Sequence, residues 1–129
     1  GSLIAVAGIV GGAVAALRLG DDATKYMRDR YRERRDLFVR RINAAGLKCH
    51  SPRGSFYAFP SVASTGLDEG TFARRLLTEH KVAVVPGTAF GDAGQGHVRA
   101  CFTANEEKLS LACDKIERLL NSLKAPAVA

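Results

Sequence analysis

Apolar positions at helical spacing alternate along this chain with short apolar runs broken by glycine and proline, and the order of the two patterns predicts a small α/β fold. From Asp22 to Ala45, the residues Met27, Tyr31, Phe38, Ile42 and Ala45 recur at spacings of three, four or their sums. They share one stripe of a helix, which Gly46 stops. Leu47 to His50 reads as a short extended segment, Pro52 to Gly54 as a turn, and Ser55 to Phe59 as a strand ending before Pro60. Asp68 closes the next polar linker, and Phe72, Leu76 and Leu77 mark a second helix of roughly three turns. Val82 to Val85 forms a strand that stops at the Pro86-Gly87 turn, and a last strand, His97 to Phe102, runs into Thr103. The Thr103 hydroxyl and the Glu106 carboxylate stand at capping-box spacing. The final helix carries Leu109, Ala112, Cys113, Ile116, Leu119, Leu120 and Leu123 on its apolar face, and the chain frays beyond Lys124. The expected fold class is α/β, a small mixed sheet covered by helices.

Composition adds the scale. The chain has 129 residues, of which 47% are hydrophobic and 25% charged, the balance of one domain with a modest core. Its formal charge of +6 is concentrated in 28–41, RDRYRERRDLFVRR, where Asp29, Glu33 and Asp36 interrupt seven arginines. Helical spacing leaves those guanidinium groups mainly on the wet side, and no zinc-finger spacing or aromatic platform accompanies them, so a nucleic-acid surface is not expected. Cys49, Cys101 and Cys113 are widely separated; with His50, His80 and His97 they make neither a disulfide framework nor a metal site, and they point to a reducing, cytoplasmic setting. The apolar stretch Leu3 to Leu17 covers 15 residues, short of the roughly 20 that a spanning helix needs, and it has no signal-peptide opening, so no membrane role is expected. Gly1-Ser2 has the form of an expression remnant, and the Ala/Gly-rich segment after it reads either as a helix packed on another domain or as a strand-like stretch.

The chemistry concentrates in 82–102, VAVVPGTAFGDAGQGHVRACF. Gly91, Gly94 and Gly96 do not match a dinucleotide fingerprint, and no helix opens directly after them, so a tight connection is favoured over a phosphate cradle. Alternation places His97, Arg99 and Cys101 on one face of the last strand and Val98, Ala100 and Phe102 on the other, which packs. Arg99 therefore has a free face. A planar guanidinium can grip a carboxylate through two parallel charge-assisted bonds, and an internal ion pair would use the same donors, so both readings stand.

Three stretches belong together: Tyr31, Arg34, Arg35 and Asp36 in YRERRD; Pro52, Gly54, Phe56, Tyr57 and Phe59 in SPRGSFYAFP; and the run 82–102. In this order they resemble the C-terminal small domain of a fold-type I pyridoxal-phosphate aminotransferase of the aspartate aminotransferase class. The match extends from about Asp22 to Lys124, and order and separation carry it more than any one piece. The resemblance implies that Arg99 binds the substrate α-carboxylate, holding amino acid and 2-oxo acid alike, while Phe90 lines the entrance and Gly54 and the Pro86 to Phe90 turn lie near the domain junction. The expected domain division is 1–21 as a tag remnant and Ala/Gly-rich interdomain segment, 22–124 as the small domain that the resemblance covers, and 125–129 as a flexible tail.

The same resemblance assigns pyridoxal phosphate to a separate large domain, whose lysine attaches the cofactor and whose aspartate supports the pyridine nitrogen. Lys25, Lys48, Lys81, Lys108, Lys115 and Lys124 all fall outside the expected lysine motif. The expectation is a parent enzyme, homodimeric, that transfers amino groups reversibly between amino acids and 2-oxo acids, with this chain alone inactive and holding no metal or covalent cofactor. Two other classes remain at this point: a stand-alone carboxylate-binding or regulatory module that keeps Arg99 for a small acid, and a structural interaction domain that uses Arg99 internally.

Overall fold

The computed structural model describes residues 4–5 and 21–124. The Ala/Gly-rich segment, apart from Ile4 and Ala5, and the tail after Lys124 lie outside the described residues. The elements follow in the order β1 (Ile4–Ala5), α1 (Asp21–Ala45), β2 (Tyr57–Ala58), α2 (Glu69–His80), β3 (Val82–Ala83), β4 (Val85–Pro86), β5 (Val98–Cys101) and α3 (Glu106–Lys124). The mixed pairing takes the form of two pieces. β1 and β3 run parallel, while β5 is the centre of an antiparallel sheet with β2 on one side and β4 on the other. The apolar run Val82 to Val85 is thus shared between two ladders, with Val84 as the corner.

α1 ends where its sequence says it should. Gly46 adopts φ +113°, where a side chain is strained. The Leu47 N–H donates to the Ile42 carbonyl (3.1 Å) and the Gly46 N–H to the Asn43 carbonyl (3.1 Å), the paired bonds of a Schellman stop. The Asn43 amide then holds the chain as it reverses, donating to the Cys49 carbonyl and accepting from the Cys49 N–H. α2 starts at Asp68, whose carboxylate accepts from the Thr71 N–H at 2.7 Å; that bond holds the Asp68 carboxyl below its ordinary value.

The core lies between the helices and β5. Phe38 and Ile42 of α1, Phe72 and Leu76 of α2, Val98 and Ala100 of β5 and Leu109, Ile116 and Leu119 of α3 are all buried, with Phe102 at the junction. Tyr31 meets Phe56 edge to face at 5.0 Å, and Phe38 stacks on Phe102 at 6.4 Å, so two aromatic positions of the YRERRD and SPRGSFYAFP stretches serve packing. Burial pushes the Cys49 and Cys113 thiols up to about 11, and all three cysteines are free. No helix among the described residues is long and apolar enough to cross a membrane.

Four expectations change. The strands are shorter than the sequence pattern suggested, because Ser55, Phe56 and Phe59 lie outside the two-residue ladder of β2. Leu77 is exposed, and Ala73 takes the inward place. Asn105 caps α3 in place of Thr103: its Oδ1 accepts from the Lys108 N–H at 2.8 Å, while Thr103 Oγ1 lies 3.1 Å from Cys101 Sγ. Some α1 arginines also turn inward. Arg34 donates to the Thr103 carbonyl (3.1 Å), and Arg41 reaches across to α3.

Candidate functional site

Arg99 sits in the central strand, opposite Val85 of β4, with buried Val98 and Ala100 turned to the core beneath it. The predicted alternation holds for those three residues and breaks at Cys101, which lies on the Arg99 side yet is buried near Thr103. His97 precedes the strand, and its Nδ1 lies 3.0 Å from the Gln95 carbonyl. It is bridged to Ser61, so β2 and β5 stay adjacent past Pro60.

Two aromatic rings hold the arginine. Its Cζ lies 4.3 Å from the Tyr57 ring centroid and 4.0 Å from that of Phe90. Tyr57 reaches it through strand register: Tyr57 pairs with Cys101, which makes Arg99 its diagonal neighbour on the same face. Phe90 arrives from the 3-10 turn Gly87–Phe90 and is half exposed. No carboxylate among the described residues pairs with Arg99, and no described oxygen accepts a hydrogen bond from its guanidinium. Its Nε is buried and unmatched. Arg30 and Arg34 share that feature, but each places another nitrogen on an acceptor, Glu33 and the Thr103 carbonyl. The internal ion-pair reading of Arg99 therefore has no partner among the described residues.

The glycine-rich connection shapes the Phe90 side. A second 3-10 turn, Asp92–Gly94, folds back on the first so closely that a Cβ on Gly87 would collide with the Gly94 carbonyl, and a Cβ on Gly94 with the Gly87 carbonyl. Gly87 N–H donates to the His97 carbonyl (2.7 Å), Gly94 N–H to Gly91 (3.0 Å) and His97 N–H to Gly94 (3.1 Å). Glu69, at the start of α2, accepts from the Gly96 N–H at 3.0 Å. With these N–H groups spent within the loop and on Glu69, it is the tight connection that the glycine spacing suggested. Glu69 is not legible from the sequence, because a carboxylate in the first turn of a helix already has an ordinary role there.

Tyr57 and Phe90 also border an open cleft of about 530 Å³, lined further by His50, Pro52, Phe59, Gly87 and His97 among others; Arg99 itself does not line it. Gly54, expected near a domain junction, adopts φ +79° with open space around it. No group of three or more His, Cys, Asp or Glu able to hold a metal occurs among the described residues. Lys25, Lys48, Lys81, Lys108 and Lys124 are exposed and Lys115 is half-buried on α3; none lines the cleft.

A small α/β layer thus carries on its central strand an arginine whose guanidinium has no acceptor among the described residues, held by the rings of Tyr57 from β2 and Phe90 from the Gly87–Phe90 turn. The chain belongs to the aminotransferase class I and II family, whose model matches residues 4–116. An aspartate aminotransferase of Pyrococcus abyssi is 45% identical over 102 residues, which make 79% of this chain and 26% of that protein. The crystal structure of an aromatic aminotransferase from Pyrococcus horikoshii is similar with a TM-score of 0.77 at 44% identity, covering 80% of this chain and 28% of that one. That of a Thermus thermophilus aspartate aminotransferase with maleate gives 0.68 at 42% identity, covering 74% and 24%. The chain spans about a quarter of the length of these relatives.

Proposed function

We propose that this chain is the substrate-gripping part of an aminotransferase that moves an amino group reversibly between an amino acid and a 2-oxo acid. Residues 22–124 act as the small domain. Arg99 takes the α-carboxylate through paired, charge-assisted N–H···O bonds, and Phe90 lines the approach to it. The grip works by orientation: fixing the carboxylate fixes the direction of the Cα–H bond.

One observation carries this reading, the arginine that is partly buried and has no acceptor among the described residues. A buried donor without an acceptor costs about 1–3 kcal/mol, and an incoming carboxylate offsets that cost while neutralising the charge. The Thermus neighbour bound to maleate is consistent with such a ligand. When bound, pyridoxal phosphate supplies the electron sink for breaking the Cα–H bond. Its attachment falls to a large domain, so this chain alone is inactive, and the parent enzyme is a homodimer. Three free, buried thiols suit a reducing, cytoplasmic compartment.

The test is made in the full-length polypeptide carrying this segment. Arg99→Ala lowers kcat/KM by ~100-fold for every amino-acid substrate, while pyridoxal phosphate loading, read by its visible absorbance, is retained. Unchanged transamination kinetics would remove Arg99 from the reaction.

A further inference from the structure

The way Arg99 is held sets it apart from the other anchored arginines. Arg30, Arg35, Arg41 and Arg75 are each fixed by a carboxylate, which occupies donors and would compete with any ligand acid. Arg30 and Arg35 also lie over tyrosine rings, at 4.9 Å from Tyr26 and 5.6 Å from Tyr31, but in addition to their ion pairs. Arg99 has two rings, both nearer, and no acceptor among the described residues. A ring attracts a cation through its quadrupole and accepts no N–H···O bond, so it restrains the guanidinium without spending the donors that a carboxylate needs.

We infer that Tyr57 is a positioning residue for carboxylate binding: its ring, with that of Phe90 as the second support, presets and dries the Arg99 guanidinium. This rests on the reading of Arg99 as the carboxylate's partner. Two effects combine. Confining the long arginine side chain before the ligand arrives lowers the ordering cost of binding. Excluding water from its surroundings strengthens each charge-assisted bond that then forms. The two supports are unequal. Tyr57 is fixed by the β2–β5 register and by its N–H bond to Ser55 Oγ (3.0 Å), whereas Phe90 stands on a turn and is half exposed. Tyr57 therefore contributes more.

The experiment follows the arginine Nε–H resonances of the 129-residue chain by NMR while maleate is added. Ring currents from the two rings shift the Arg99 signal upfield, and that signal moves at lower maleate than those of exposed arginines such as Arg28. Tyr57→Leu removes most of the upfield shift and weakens maleate binding about 5- to 20-fold; Phe90→Leu, a substitution at an exposed side chain, weakens it about 2- to 5-fold. Tyr57→Phe keeps the ring and stays within about twofold of the parent chain. The backbone amide spectrum reports whether each variant is folded, and the Phe90 variant tests the ring support even if Tyr57→Leu is not. Parent-like affinity in both leucine variants overturns the proposal, as does a Tyr57→Phe loss equal to that of Tyr57→Leu. Arg99→Ala separates the two levels: unaltered maleate binding there overturns the carboxylate reading itself, whereas lost binding there with intact binding in the leucine variants overturns only the ring support.

Discussion

Arg41 and Arg99 are both partly buried, and they are held in opposite ways. Arg41 spends its donors inside the protein: Nη2 lies 2.5 Å from Asp114 and 2.9 Å from Glu117, Nε 3.2 Å from Glu117, and Nη1 3.1 Å from Ser110 Oγ. Hydrogen bonds to Asp114 and then Glu117 raise its proton affinity above that of an ordinary guanidinium. The Arg99 guanidinium is held by Tyr57 and Phe90 and gives no described atom a hydrogen bond. The difference separates a cation that ties two helices from one kept available for an anion. Partial burial by itself does not distinguish them; the inventory of acceptors does.

The two regions can be broken separately. Gly94→Ala drives a Cβ into the Gly87 backbone, where no flexible side chain can yield, so the two 3-10 turns must part and carry Phe90 with them. Stability falls by about 1–3 kcal/mol, the usual range for overpacking. Maleate affinity drops with it, while the α1–α3 amide signals remain. Urea melts combined with the maleate titration check this, and a fully retained affinity means that Phe90 is not placed by the glycine contact. The reverse break is Arg41→Met, which keeps the stem and leaves Asp114 and Glu117, three residues apart on α3, facing each other without a cation. Stability falls by about 1–2 kcal/mol because several charge-assisted bonds vanish at a site still open to solvent, and the loss shrinks at high salt. Maleate binding stays at the parent value. A salt-independent loss, or a change in maleate affinity, breaks the division of labour between the two arginines.

The same pair marks how far the sequence could be read. Alternation in 97–102 put Arg99 on the face away from the core, since Val98 and Ala100 needed the other, and helical spacing placed Phe38 and Ile42 inside. The three helices, the Gly46 stop and the Asp68 boundary were legible for that reason: each rests on local patterning. Arg41 was not legible, because within RDRYRERRDLFVRR it resembles its six neighbours, and its acceptors lie about 70 residues later on another helix. Tyr57 was visible as a family position, but its place against Arg99 depends on cross-strand register, which a single strand does not encode. Strand lengths were overread for a related reason: an apolar run such as Val82 to Val85 signals burial, not which ladder each residue joins.

The start of α3 offers the smallest and most local test, because it lies where the Arg99 strand hands the chain to the helix that anchors Arg41. Thr103 and Glu106 have capping-box spacing, yet the helix begins later, and the side chain that meets a free N–H is Asn105, at Lys108. Thr103 is already engaged on both sides: its hydroxyl lies beside Cys101 Sγ and its carbonyl takes Arg34. Asn105→Ala therefore costs about 1 kcal/mol, the typical loss of an N-cap. It frays the first turn of α3, ahead of Ser110, Asp114 and Glu117, and leaves the Arg99 resonance in place. Thr103→Val keeps the shape, loses only the hydroxyl and leaves the α3 N-terminal amides protected. Hydrogen exchange at the Lys108 amide reads both variants; faster exchange in Thr103→Val than in Asn105→Ala would return the cap to the capping-box pair and move the start of the helix toward the Arg99 strand.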